Sequence, residues 1–230
     1  MLGNFANSIF SRTPISLLFQ GRFEDFLLAV LYLLPALVIA LAFHEAAHAW
    51  MADRMGDPTA RNLGRVTLDP TKHIDLFGFI SFLFIGFGWG KPVPINQRNF
   101  HNYKKANILV SLSGVTMNLM LSFVFYLITF LLYYVFGVTN IIVLRILLNI
   151  IDMNIILCFF NLIPIPPLDG HHLISGFIAR RSPKFYMMYM RYGQIVLLML
   201  LFLTDVIQIA LSFLSNGVWT LYNLLFGLFI

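Results

Sequence analysis

Charge is scarce in this chain. Only 11% of its 230 residues are charged while 59% are hydrophobic, a balance that excludes an ordinary soluble domain and points to an integral membrane protein. No polar stretch is long and uninterrupted enough for a separate soluble domain, so residues 1–230 are expected to form one membrane-embedded unit. Cysteine is nearly missing. Cys158 stands alone, which excludes a disulfide within the chain, and its apolar setting reads as a buried, inert thiol. Acidic residues number 10 against 15 Lys and Arg. The basic residues sit in loops, so they read as topology signals and not as a nucleic-acid patch. No internal repeat relates the two halves. The first apolar stretch lacks a small-residue cleavage site, so it is not read as a removable signal peptide.

What is present is a series of apolar runs. Residues 26–52 read as a first span, with Pro35 inside it; 106–136 as a second; 141–162 as a third; and 193–215 as a fourth. Residues 1–25 read as irregular or interfacial, and 216–230 as a half-span or interfacial helix. Residues 76–95 are apolar, rich in glycine and β-formers, and short for a helical span. They read as a re-entrant segment, part helix and part β-hairpin. Asn118 is expected to hydrogen-bond across helices. Arg145 and Asp152, seven apart on one helix face, read as structural. Arg54, Arg61, Arg65, Lys72, Lys91, Arg98, Lys104 and Lys105 follow the first span, and Arg180, Arg181, Lys184 and Arg191 follow the third. By the positive-inside rule both stretches face the cytoplasm, which puts the ends of spans one and three on that side of the cell membrane.

The first span ends in His44-Glu45-Ala46-Ala47-His48. Histidines four apart project from one helix face and can bind one Zn²⁺, with Glu45 alongside to act on a zinc-bound water. Ionisable groups in hydrocarbon are costly, which makes the triplet a functional site by default. A catalytic zinc takes three protein ligands and keeps one position open. Asn161-Leu162-Ile163-Pro164-Ile165-Pro166-Pro167-Leu168-Asp169-Gly170 ends the third span on the same expected side. Asp169 is the natural third ligand, held by a proline-stiffened loop. His171 and His172 follow at once and read as solvated loop residues, as do His73 and His101.

The paired motifs, HEAAH and Asn-x-x-Pro-x-Pro-x-x-Asp-Gly, resemble the site-2 protease family of intramembrane zinc metalloproteases. Gly88-Trp89-Gly90-Lys91-Pro92-Val93-Pro94 and Gly56-Asp57-Pro58-Thr59-Ala60-Arg61 resemble stretches of its short bacterial members. The resemblance implies an all-α polytopic protein with a three-helix catalytic core and flanking helices. It implies His44, His48 and Asp169 as ligands of one Zn²⁺ and Glu45 as general base. Asn161 would contact substrate or the developing oxyanion, and Gly86, Phe87 and Gly88 would pair with an unwound substrate. The substrate would be a membrane-anchored protein cut within or near its transmembrane helix. The family's Ala-Gly-Pro-x-x-Asn stands here as Ser113-Gly114-Val115-Thr116-Met117-Asn118, without the proline. PDZ and CBS domains, carried by many relatives, do not fit in this length. The rivals are a proton or metal-ion transporter, in which the same residues would carry ions, and an inactive membrane-segment binding protein.

Overall fold

The computed structural model describes residues 14–86 and 88–227. It is helical, with no strand among the described residues. The helices are α1 (Pro14–Phe19), α2 (Phe23–Arg54), α3 (Thr59–Asn62), α4 (Leu76–Ile85), α5 (Tyr103–Phe130), α6 (Ile141–Leu162), α7 (His171–Arg181), α8 (Pro183–Leu203) and α9 (Val206–Gly227). α2, α5 extended by a π-turn to Val135, α6, α8 and α9 are long and apolar enough to cross a membrane. The chain is therefore an all-α polytopic membrane protein.

Local chemistry sets the helix starts. Side-chain oxygens of Asp75, Asn102, Asn140 and Ser182 accept from the first free N–H groups of α4, α5, α6 and α8, which satisfies donors the helices cannot satisfy themselves. The core is α2, α5 and α6 packed on one another. Their contact surfaces are built from small residues. Ala36, Ala40, Ala47 and Ala49 of α2 and Ala106 and Gly114 of α5 are buried, so backbones approach closely where lipid offers no hydrophobic drive. Asn118 of α5 ties all three helices. Its Nδ2 donates to Ala40 O of α2 at 3.2 Å and to Asn154 Oδ1 of α6 at 2.8 Å.

The fourth span differs from the expected residues 193–215. The helix breaks at Thr204, which is extended and whose hydroxyl turns back to Leu200 O. α9 then runs antiparallel to α6. Ile207 packs beside Leu168 at one end, Trp219 Nε1 donates to Asp152 Oδ1 at 2.7 Å further along, and Tyr222 meets Ile151 and Ile155. Residues 216–227 belong to this long helix and do not form a separate half-span. α8 lies against the turn after α6: Tyr189 donates to Pro164 O at 2.9 Å, and Leu197 packs with Leu168. Asp152 is thus partnered by Trp219, and the Arg145 guanidinium lies 5.8 Å from the Tyr32 ring centre. Of the segment expected to be irregular or interfacial, residues 1–13 lie outside the described residues and Pro14–Phe19 is a short helix.

Residues 76–95 are helix first. α4 ends at Gly86, whose φ of 74° is the left-handed cap that glycine takes without strain. The chain then returns along α4. A Cβ on Gly88 would collide with Gly78 O, so two glycines let these backbones touch. The backbone approach expected of the glycine stretch is therefore made first by α4 itself. Among the described residues of this stretch, the strand-like pairing is one isolated antiparallel bridge, Ile74 with Gly90.

Candidate metal centre

His44 and His48 lie on the inner face of α2, both buried. Asp169 reaches them from the turn between α6 and α7. That turn is closed by Gly170 N–H donating to Asn161 O at 2.6 Å. The three side chains converge tightly. His48 Nε2 is 3.0 Å from His44 Nε2, and Asp169 Oδ2 is 3.2 Å from His44 Nε2 and 3.1 Å from His48 Nε2.

Neighbours on α5 fix which imidazole nitrogens carry protons. Asn118 spends its NH₂ on two carbonyl-type oxygens, so its Oδ1 is the atom that faces His44 Nδ1 at 2.5 Å. An oxygen there requires Nδ1–H. His48 Nδ1 faces Val110 O at 2.7 Å and must donate likewise. Both Nε2 atoms therefore present lone pairs toward Asp169. Asp169 Oδ2 is buried without a hydrogen-bond donor among the described residues.

Three lone pairs facing one point within about 3 Å repel one another unless a cation lies between them. A tetrahedral Zn²⁺ with bonds near 2.0–2.2 Å holds its ligand atoms about 3.3 Å apart. The observed separations of 3.0, 3.1 and 3.2 Å fit that ion. His44, His48 and Asp169 are the group among the described residues that could hold a metal ion.

Glu45 sits on the next face of α2. Its Oε2 accepts from Val93 N–H at 3.1 Å, so the segment after the glycine stretch crosses this carboxylate. Asn161 is half-buried at the end of α6, with its Nδ2 donating to Leu157 O one turn back at 3.1 Å. Gly86 caps α4 and Gly88 lies against Gly78; Phe87 lies outside the described residues. An apolar cleft of about 250 Å³ opens beside the histidine helix, between Ala47 and Trp50 of α2, Leu68 and Met117.

In the sequence Gly114 stands out only as part of the stretch that resembles Ala-Gly-Pro-x-x-Asn, with no contact to the histidines expected of it. A Cβ there would lie 2.6 Å from His44 Cε1 and from His48 Nε2. The signal that could have revealed its role is its place four residues before Asn118, on the same face of α5. The expectation for His171 and His172 is corrected. His171 is buried, donates from Nδ1 to Leu168 O at 2.7 Å, and its ring centre lies 3.7 Å from that of His172. Burial holds the His172 imidazole down to about 4, so it is neutral near pH 7, and Asn107 Nδ2 faces its Nδ1 at 3.3 Å. His73, which follows the 3-10 turn Pro70–Lys72, is buried as well, and its Nε2 donates to Thr67 O at 2.8 Å.

The chain is similar to known proteins. A family model described as peptidase family M50 matches residues 137–202, which include α6 and Asp169. A Bacillus subtilis (strain 168) protein named "Putative zinc metalloprotease YwhC" is 40% identical over 153 residues, 64% of this chain and 69% of that protein. A Mycobacterium tuberculosis (strain ATCC 25618 / H37Rv) protein named "Putative zinc metalloprotease Rip2" is 29% identical over 152 residues, 64% of this chain and 57% of that protein. No solved structure matches the chain. Given the Bacillus relative, matched over more than two thirds of its length, and the family model across the Asp169 turn, the chain belongs to peptidase family M50.

Proposed function

We propose that this chain is an intramembrane zinc endopeptidase of the site-2 protease type. It hydrolyses a peptide bond within or near the transmembrane helix of a membrane-anchored protein. One observation carries the reading: two imidazole lone pairs and a carboxylate meet at one buried point beside Glu45. The family and the relatives' names support it.

His44, His48 and Asp169 hold one Zn²⁺ per chain and leave one side open. Bound there, the ion supplies a Lewis acid that polarises a carbonyl and brings the pKa of water toward about 7. Glu45 takes a proton as water adds to the scissile carbon, then delivers it to the leaving nitrogen as the C–N bond breaks. The products are a carboxylate and an amine. Asn161 contacts the substrate or its developing oxyanion. Gly86, Phe87 and Gly88 offer backbone to the unwound substrate. Residues 1–230 act as one membrane-embedded domain. By the positive-inside rule the basic loops support a site near the cytoplasmic face of the cell membrane, where water can reach it.

The test uses the full chain in vesicles with a reporter anchored by one transmembrane helix. Glu45→Gln should keep one Zn²⁺ per chain and lose roughly 10²- to 10⁴-fold in cleavage rate. Asp169→Ala should lose both metal and cleavage. Cleavage by either variant at the wild-type rate refutes the assignment, and metal flux without cleavage marks a transporter.

A further inference from the structure

The segment that touches Glu45 is held by a charge that nothing in the proposed chemistry uses. Arg65 follows α3, is 7% exposed, and makes no ion pair among the described residues. A buried guanidinium without a carboxylate is costly, and its Nε is buried without a hydrogen bond. What Arg65 does make is one short bond: Nη2 donates to Lys91 O at 2.6 Å.

Lys91 is also held from its other side. Its N–H donates to His73 O at 2.7 Å, next to the Ile74–Gly90 bridge. Five residues on, Asn96 N–H donates to Asp57 Oδ2 at 2.7 Å, and Asp57 is fully buried. Both ends of Lys91-Pro92-Val93-Pro94-Ile95-Asn96 are therefore pinned to the loop between α2 and α4. Between the pins the chain is stiff, because proline fixes its own φ and restricts the residue before it. Pro92 and Pro94 carry no N–H. Val93 supplies the one amide of the three, and that amide bonds Glu45 Oε2 at 3.1 Å.

We propose that Arg65 is a positioning residue for Glu45. It sets the Lys91 carbonyl, the prolines transmit that setting, and the Val93 amide holds one carboxylate oxygen so that the other is free to move a proton. The inference rests on the proposed role of Glu45. A ligand or base displaced by about 1 Å costs up to 10²-fold in rate, so a distant hydrogen bond is enough to matter.

Two measurements on the full chain in detergent or vesicles test this. Exchange of the Val93 amide with deuterated water, read by NMR on valine-labelled protein, does not depend on activity. Arg65→Gln should speed it, and so should Glu45→Ala. Arg65→Met, which keeps the stem and drops the donors, is carried alongside so that a folded variant is in hand. Against the membrane-anchored reporter, Arg65→Gln and Val93→Pro should each lower kcat on the order of 10- to 100-fold with little change in KM. Both should retain one Zn²⁺ per chain. The double variant should be no slower than the slower single one, because both changes cut the same path. Unchanged Val93 exchange in folded Arg65 variants, or losses in kcat that multiply, overturn the proposal. A wild-type chain that cuts no reporter refutes the protease reading instead, whatever the exchange data show.

Discussion

Replacing Gly114 by alanine puts a methyl group where two imidazoles meet. Its carbon would lie 2.6 Å from His44 Cε1, 2.6 Å from His48 Nε2 and 2.7 Å from His44 Nδ1. Carbon contacts rest near 3.5–4.0 Å, so about 1 Å must be found. If α5 retreats, it draws away Asn118 and Val110, the two groups that orient the imidazoles. If the rings turn, their lone pairs leave Asp169. Loss of one orienting partner typically costs about 10- to 100-fold in metal affinity. Here both ligands are struck together, so we expect at least about 100-fold weaker zinc binding, or about 2.8 kcal/mol. The helix itself gains, since alanine is favoured over glycine in a helix interior by about 1 kcal/mol. The expected variant is thus folded and metal-poor. Competition titration against a chromogenic chelator, with circular dichroism on the same sample, reads both quantities. Wild-type zinc affinity in a protein of wild-type helicity would refute the account of how α5 shapes the centre.

Asn118→Ala should weaken zinc binding by about 10- to 100-fold and destabilise the fold by about 1–3 kcal/mol, because Ala40 O, Asn154 Oδ1 and His44 Nδ1 all lose their partner. Chelator titration and thermal unfolding check the two effects separately. Asp57 predicts an acid-sensitive loop. Burial works against its charge, but donors from Thr59, Asn99 and Asn96 outweigh it and hold the carboxyl below its ordinary value. A folded value beneath the unfolded one adds stability above the ordinary carboxylate range, near pH 4, and loses it as pH falls through the lowered value. Thermal midpoints recorded downward from pH 6 should therefore drop more steeply in the wild type than in Asp57→Asn; parallel curves would count against this. Trp219→Phe leaves Asp152 Oδ1 without its 2.7 Å donor and should cost about 1–3 kcal/mol, seen as a lower thermal midpoint with zinc content unchanged.

Much of the centre could be read in advance because its parts obey local rules. Histidines four apart share a helix face whatever the tertiary fold. Asp169 follows prolines that stop α6, so its position at a helix end was also local. Asn118 in an apolar run had to bond across helices, and it does. Other features depend on what the chain meets in space. Gly114 acquires its meaning only from the rings of α2. His73, Asp57 and Arg65 lie in a polar loop, and polarity alone suggests exposure. They are buried because the backbone of Thr67, Lys91 and Asn96 and the side-chain amide of Asn99 come to meet them. The break at Thr204 was missed because apolar residues continue on both sides of it, and a single threonine and aspartate give little sign of a turn. The glycine stretch read as part helix and part hairpin; the helix is there, capped by Asp75, and Gly78 leaves room for the returning chain.

The two imidazoles come from the N-terminal half of the chain and the carboxylate from the C-terminal half. During synthesis the histidine helix enters the bilayer long before Asp169 has left the ribosome. An ion arriving early would find two nitrogens and no third ligand, and would be easily lost. A site that needs all three ligands is complete only once α6 and the turn after it have been made.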